Sequence, residues 1–190
     1  MPVDRARAAR AVEELLRALG YDPASPDLRE TGTRVADAWA DDLVAGRDVD
    51  VPALLRAESF EASSAGSLVV LRDTPTATIC PHHLLPALGW ATVAYVPGER
   101  VAGLGTLARV VDAFARRLTL QERIGEEVVS ALMDVLGARG AACAIRLRHA
   151  CLVARGERKE AWVESLATAG VLEPGGSHAA LLATLSVRDA

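Results

Sequence analysis

The segment Thr78-Ile79-Cys80-Pro81-His82-His83-Leu84-Leu85-Pro86 places one thiol and two imidazoles within four consecutive residues. The chain holds four histidines and three cysteines, so half of its histidines lie here. A second cluster, His149-Ala150-Cys151, adds another imidazole and another thiol far along the sequence. Two distant groups of nitrogen and sulfur donors predict one metal site that is assembled by the fold.

The spacing of these donors suits zinc. Cys80 and His83 can reach one ion from a turn, and Cys151 would be the third ligand. Zinc prefers thiolate and imidazole in a tetrahedral set, and three protein ligands leave one position for water, as in catalytic sites. His82 and His149 then remain beside the metal as imidazoles that can carry protons near neutral pH. This combination is typical of metal-assisted hydrolysis.

The alternative is that these residues bind no metal. A single C-x-x-H pattern is a weak signal, and buried cysteines usually pack as small hydrophobic residues. Cys143, in the apolar run Ala141–Ile145, is interpreted as such a core residue. His178 follows Gly175-Gly176-Ser177 and is interpreted as a residue at the start of a helix.

Composition limits the classes of protein. A chain of 190 residues suits one domain with a helical extension, and a hydrophobic content of 51% is ample for a core. The net charge of −4 provides no basic field for nucleic acid. No apolar run approaches the ~20 residues of a membrane span. Three cysteines and an N-terminus without a signal-peptide core fit the reducing cytoplasm. We therefore expect a cytoplasmic protein that binds neither nucleic acid nor membrane.

Apolar periodicity predicts the elements. Two N-terminal helices are expected over residues 4–19 and 27–45, the second capped by Asp27. The pattern then changes to strands, with a turn at Thr74-Pro75. The predicted strands are 68–71, 76–80, 88–96 and 141–148, with further β structure at 151–154. The other predicted helices are a short one around 52–56, and those at 106–117, 121–136 and 177–185. This order predicts an α+β domain with an antiparallel sheet.

A series of motifs runs in order from Cys80 to Gly156, and the likeness that they carry extends from about Ala11 to the C-terminus. The motifs are Cys80–Pro86, Gly103-Leu104, Leu107-Ala108-Arg109, Ala115–Leu118, Gln121-Glu122-Arg123, His149-Ala150-Cys151 and Arg155-Gly156. In this order and spacing, the chain resembles the GTP cyclohydrolase I family.

The resemblance implies the tunnelling fold, an antiparallel four-stranded sheet with two helices on one face, preceded by an N-terminal helical pair. The helical region would cover residues 1–60, and the catalytic domain residues 61–190. Subunits of such proteins pool their sheets into a β-barrel, usually as a homodecamer, with active sites at the subunit interfaces. The implied reaction opens GTP at C8 of the purine, releases formate and recloses the remainder to dihydroneopterin triphosphate.

The resemblance also implies the site residues. Cys80, His83 and Cys151 match the zinc ligands, and His82 and His149 match the histidines that transfer protons. The implied substrate-binding residues include Glu122 at the guanine edge, Gln121 beside it, and Leu104. The triphosphate would be bound by Arg34, Arg109 and Arg155. A carboxylate can accept two hydrogen bonds from guanine, and arginine forks suit phosphate oxygens. Without the family, these charged residues would be read as solvated surface groups.

Five positions depart from the family pattern. Pro81 stands where a Glu is usual, Gly105-Thr106 replaces Ser-Lys, Asp37 replaces a common Lys, and Gly32 replaces a Pro. The segment Glu157–Glu164 replaces a Thr/Ser-rich one. Two of these changes remove a positive charge near the expected phosphates, and one of the two, Asp37, also adds a negative charge. Arg158 or Lys159 could compensate.

These departures leave alternatives open. The substrate could be a guanine compound with fewer phosphates, or the reaction could stop at the ring-opened product. A third alternative is an inactive paralogue that binds a nucleotide and keeps a structural zinc. The two histidines outside the ligand set argue against that alternative, because a structural site needs neither.

Overall fold

The computed structural model describes residues 3–62, 67–156 and 158–177. The chain divides into two compact units, Met1–Ala45 and Gly46–Ala190. The predicted boundary between a helical region and a catalytic domain after residue 60 separates functional regions, and it stays a prediction. None of the helices in the described part combines the length and apolar character needed to cross a lipid bilayer.

The first unit is a pair of helices. Helix α1 spans Arg5–Ala18 and begins where the Asp4 carboxylate accepts a hydrogen bond from the backbone amide of Arg7 at 2.9 Å. Such a bond satisfies one of the amides that the start of a helix leaves without a partner. Helix α2 spans Thr31–Ala38 and continues as a π-helical turn over Trp39–Leu43.

The second helix begins four residues later than predicted, and Asp27 does not cap it. The preceding segment forms turns instead, in which the amides of Leu28 and Arg29 both donate to the Ser25 carbonyl at 3.0 Å. Gly32 belongs to a close approach between the helices, since a Cβ there would lie 2.8 Å from the Ala9 carbonyl oxygen.

The negative charge of Asp37 is paired with a positive charge within this unit. Arg5 donates to Asp37 at 2.9 Å and to Asp41 at 2.5 Å. These bonds raise the pKa of Arg5 and lower that of Asp41. The negative charge that departs from the family pattern is therefore held by an arginine of α1.

A four-stranded antiparallel sheet forms the centre of the second unit, in the order β2-β3-β5-β6. Its strands are β2 (Val69–Ile79), β3 (Pro86–Val96), β5 (Gly140–His149) and β6 (Val163–Gly170). Two short strands, β1 (Ser59–Glu61) and β4 (Arg100–Ala102), form a separate antiparallel pair. The α+β class with an antiparallel four-stranded sheet is confirmed.

The predicted turn at Thr74-Pro75 is wrong, because both residues lie within β2. The strand shifts register between Leu71 and Thr74, where Asp73 adopts a φ of 52°. The irregularity is a β-bulge, which lets the strand continue past a residue that would otherwise break pairing. Proline lacks a backbone N–H and is found mainly in edge strands, and β2 is an edge strand of this sheet.

The chain after β5 also differs from the prediction. Residues 151–154 were expected to be extended, but helix α6 spans Ala150–Val153. Strand β6 was not predicted at all. Its sequence, Val-Glu-Ser-Leu-Ala-Thr-Ala-Gly, is rich in small residues and poor in β-branched ones, so its strand character comes from pairing with β5.

Helices cover one face of the sheet. Helix α3 spans Val51–Ala57, α4 spans Leu104–Ala115 and α5 spans Gln121–Leu136. Helix α4 contacts β2, whereas α5 contacts β5 and β6. The apolar faces of α4 and α5 pack in the core, where the following residues are at most 1% exposed: Leu107, Val110, Val111, Ile124, Val128, Leu132 and Leu136.

Two further predictions concern single residues. Cys143 is fully buried in the core, as predicted, and burial raises its pKa to about 12. The predicted helix over residues 177–185 and the interpretation of His178 lie outside the described residues apart from Ser177.

Candidate active site

A tight loop between β2 and β3 carries the first donors. The amide of Cys80 donates to the Leu85 carbonyl at 3.0 Å, and the amide of Leu84 donates back to the Cys80 carbonyl at 2.9 Å. Leu84 takes a left-handed φ of 54°, which closes the loop. Within it, the Cys80 Sγ lies 3.6 Å from His83 Nδ1.

Strand pairing brings the distant cluster to the same end of the sheet. Ile79, which precedes Cys80, pairs with Pro86, and the next residue, Ala87, pairs with His149. Helix α6 follows directly and carries Cys151. One ligand atom from each of Cys80, His83 and Cys151 lies within 4.8 Å of the others.

The donor set fits a zinc ion. Bonds of about 2.3 Å to sulfur and 2.05 Å to nitrogen at a tetrahedral angle separate the two atoms by ~3.6 Å. That value agrees with the distance from Cys80 to His83. Burial raises the pKa of the Cys151 thiol, and the adjacent Cys80 raises it further. A cation between the sulfurs would reverse this penalty, because it stabilises both thiolates.

His149 is held by Gln121, which is 3% exposed. The Gln121 amide nitrogen contacts three acceptors, the carbonyls of Ile145 and Val163 at 3.0 Å and the Ser165 hydroxyl at 3.2 Å. Its Oε1 therefore faces His149 Nε2, at 2.9 Å, and must accept a hydrogen bond there. This assigns the proton of neutral His149 to Nε2 and leaves Nδ1 with the lone pair. Burial lowers the pKa of His149, and the charge of Glu122 opposes that shift.

One pocket, of about 280 Å³, contains all of these groups. Glu122 lines it from the first turn of α5, and His82 lines it from the β2–β3 loop. The remaining lining residues are Thr78, Cys80, Pro81, His83, Thr119, Leu120, Gln121, His149, Cys151, Leu152 and Val163. The predicted ligand set, both predicted proton carriers and the predicted guanine-binding carboxylate thus share one cavity.

The other predicted substrate residues have different surroundings. Arg155 donates to His83 Nε2 at 2.8 Å. Leu104, 60% exposed, and Arg109, ion-paired with Glu58, lie on α4 outside the pocket lining. Arg34 lies in the first unit, where it pairs with Glu30.

A family model for GTP cyclohydrolase I matches residues 8–182 of the chain. The chain belongs to the GTP cyclohydrolase I family. Its membership makes it an enzyme of the hydrolase class, as its curated relatives are.

Several relatives carry the name GTP cyclohydrolase 1. The protein of Leifsonia xyli subsp. xyli is 40% identical over 183 residues, which cover 96% of this chain and 95% of the relative. That of Corynebacterium aurimucosum is 42% identical over 158 residues, covering 82% and 79%. That of Leptospira biflexa is 37% identical over 149 residues, covering 78% and 80%. The similarity therefore spans nearly the full length of this member of the family.

The sequence did not reveal some of the residues that line the pocket of this member of the cyclohydrolase family. The lining residues Thr119, Leu120, Leu152 and Val163 carried no signal, because each contributes only through its place in the fold. The contacts of Gln121 with β5 and β6 were also missed. No local pattern could reveal them, since β6 itself was not predicted.

Proposed function

We propose that the chain catalyses the GTP cyclohydrolase I reaction. In it, the guanine imidazole ring of GTP is opened hydrolytically at C8, formate leaves, and the remainder recloses to dihydroneopterin triphosphate. The observation that carries the proposal is the shared pocket, in which three metal donors lie together with two further histidines and a carboxylate.

Cys80, His83 and Cys151 would hold zinc. When bound, zinc supplies a Lewis acid that activates water for attack on C8, a weak electrophile. Ligation through His83 Nδ1 requires the proton of that ring to sit on Nε2, which can then no longer accept from Arg155. We therefore expect Arg155 to leave His83 when the metal binds, and to become available to an anion.

His82 and His149 would carry protons. Opening the ring requires a proton at N7 and removal of protons from the attacking water, and imidazoles perform both near neutral pH. Gln121 would orient His149, since its acceptor oxygen holds Nε2–H and leaves Nδ1 for proton transfer. Direct contact between Gln121 and substrate stays a prediction.

Glu122 would select guanine. Its carboxylate can accept from the N1–H and the 2-amino group together, a pair of donors that adenine lacks at these positions. Its place in the same pocket as His149 supports this role.

Phosphate binding would use more than one subunit. We propose a homo-oligomer in which sheets join into a barrel and active sites lie between subunits. Arg109 and Leu104 of α4 would then act in the site of a neighbouring copy, which agrees with their absence from the described pocket lining of their own chain. Arg34 and Arg155 would complete the triphosphate site.

Metal analysis combined with turnover of GTP tests the proposal. The expected result is one zinc per chain and formation of a pterin that becomes fluorescent on oxidation. His82→Ala and His149→Ala should each lower kcat by ~10²-fold or more, the usual contribution of a general acid or base. Wild-type rates in both variants would exclude the proton-transfer roles.

A second candidate is a cyclohydrolase for a guanine compound with fewer phosphates, or one that stops after ring opening. The replacement of Ser-Lys by Gly105-Thr106 and the ion pair of Arg109 with Glu58 favour it. Comparing turnover of GTP, GMP and guanosine separates the substrates. A formamidopyrimidine product without pterin fluorescence would identify arrest after ring opening.

A further inference from the structure

Glu58 follows helix α3 and binds the start of helix α4 in three ways. Its carboxylate accepts from the Thr106 hydroxyl at 2.9 Å and from the Arg109 guanidinium at 2.5 Å. Its backbone carbonyl accepts from the Gly103 amide at 3.3 Å. The bond from Thr106, followed by that from Arg109, lowers the pKa of Glu58, so the group is an anion at neutral pH. The Glu58 carboxylate is thus already bound to the Thr106 hydroxyl and the Arg109 guanidinium.

The surroundings of this turn are otherwise open. A Cβ at Gly105 would meet no atom within 4 Å, and Leu104 is 60% exposed. Thr106 is only 4% exposed, so its hydroxyl has a fixed place, whereas the side chains of Arg109 and Glu58 are 60% and 39% exposed. An anion arriving from solvent can reach Arg109, but it meets Glu58 already bound there.

The two side chains cancel each other's charge. A phosphate that approaches Arg109 must either displace the Glu58 carboxylate or bind beside it, and like charges a few ångströms apart repel. Glu58 itself loses two charge-assisted bonds if it is displaced. Either route weakens the contribution of Arg109 to binding a polyphosphate.

We propose that Glu58 is a specificity-determining residue that competes with the phosphate tail of the substrate for Arg109. The preference of the enzyme is thereby shifted from nucleoside triphosphates towards guanine compounds with fewer phosphates. This inference rests on the proposed function, because it takes Arg109 to be a phosphate-binding residue of that site.

The test compares Glu58→Gln with the wild type on GTP and guanosine. The amide keeps the size of the side chain and an acceptor for Thr106, but removes the charge. The ratio of kcat/KM for GTP to that for guanosine should rise about tenfold or more, the size expected when one charge-assisted bond is freed. The gain should appear mainly as a lower KM for GTP.

Glu61→Gln is the matched control, because it removes the same charge from an exposed residue of the adjacent β1. It should leave the ratio within about twofold, since separated exposed charges are screened. A double-mutant cycle locates the effect. Arg109→Gln should cost less than about threefold in GTP preference in the presence of Glu58, and should abolish the gain in the Glu58→Gln background.

An unchanged ratio of kcat/KM for GTP to that for guanosine in Glu58→Gln would overturn the inference. A fall in this ratio would also overturn it, because it would show that Glu58 orients Arg109 for phosphate. If Glu58→Gln does not fold, a loss of GTP preference above about tenfold in the single Arg109→Gln variant would overturn it. A wild-type enzyme that converts neither compound contradicts the proposed function instead. Binding of inorganic triphosphate then still tests Glu58, with binding about tenfold tighter in Glu58→Gln expected.

Discussion

At the scale of single residues, Gln121 shows how one side chain can set the chemistry of another. Its amide nitrogen faces three acceptors, so rotating the amide would turn its oxygen towards those acceptors and lose three contacts. The oxygen must then face His149, whose tautomer follows. A residue of the predicted substrate site therefore has a defined structural task as well.

Gln121→Glu should destabilise the protein strongly. The second carboxylate oxygen would face the carbonyls of Ile145 and Val163 in a buried site, where uncompensated polar groups cost about 2–4 kcal/mol. Urea denaturation of the purified variant measures the change in the free energy of unfolding. Glu122→Gln, on the next residue of the same helical turn, is the control and should change it by less than ~0.5 kcal/mol, because Glu122 is exposed. Equal effects would contradict the assigned contacts.

The three cysteines should differ in reactivity. Thiolates are the reactive species, and Cys143 is fully buried with its pKa raised to about 12, so it should resist alkylation until the protein unfolds. Cys80 and Cys151 are partly exposed and should react in metal-free protein. Mass spectrometry after iodoacetamide treatment locates the modified residues. Protection of Cys80 and Cys151 by added zinc is expected, and lack of protection would count against the ligand assignment.

At the scale of elements, a glycine in α4 and a glycine at the end of α5 differ in backbone conformation. Gly137 ends α5 in the left-handed conformation, with a φ of 60°. Gly105 lies in the first turn of α4. A Cβ at either position would meet no atom within 4 Å, so only backbone conformation distinguishes them.

Substitution by alanine should therefore have opposite signs at these positions. Gly137→Ala should destabilise by about 1–2 kcal/mol, because an L-residue is strained in the left-handed region. Gly105→Ala should stabilise by about 0.5–1 kcal/mol, because alanine loses less conformational entropy in a helix. Thermal or urea unfolding of the two variants provides the comparison. Stabilisation by both would mean that α5 does not end as described.

At the scale of the whole molecule, the second unit has helices on one face of its sheet and the candidate site where β2, β3 and β5 meet their loops. The pocket draws on residues from Thr78 to Val163, so the site exists only in the folded chain. Removal of the proposed zinc should therefore affect stability as well as turnover.

Chelation should abolish turnover of GTP and lower the melting temperature, because a ligand that binds only the folded state stabilises it by mass action. Readdition of zinc should restore both. Cys151→Ser should reduce the zinc content and should not be rescued by the same zinc concentration. Full turnover by protein that is shown to be metal-free would contradict the proposed role of the donor set.

The proposed assembly makes a separate prediction. Sedimentation should find a homo-oligomer, since α4 of one copy is proposed to complete the site of another. A monomer that retains full turnover would refute sites shared between subunits. The measurement is made on the full chain at the concentration used for turnover.

The sequence by itself determined the helices α1, α4 and α5, the α+β class and the donor set of the candidate site. These follow from local properties, namely apolar residues at helical spacing, a glycine at the end of α5, and short clusters of thiol and imidazole groups. The resemblance added the roles of single residues, which stay predictions.

Only the tertiary structure decided the bulge in β2, the existence of β6, the tautomer of His149 and the pairing of Glu58 with α4. Each depends on a partner distant in the chain, so no local pattern encodes it. A strand of small residues such as β6 forms because β5 offers its unpaired edge. Likewise, Glu58 and Gln121 acquire their tasks from the groups that folding places against them.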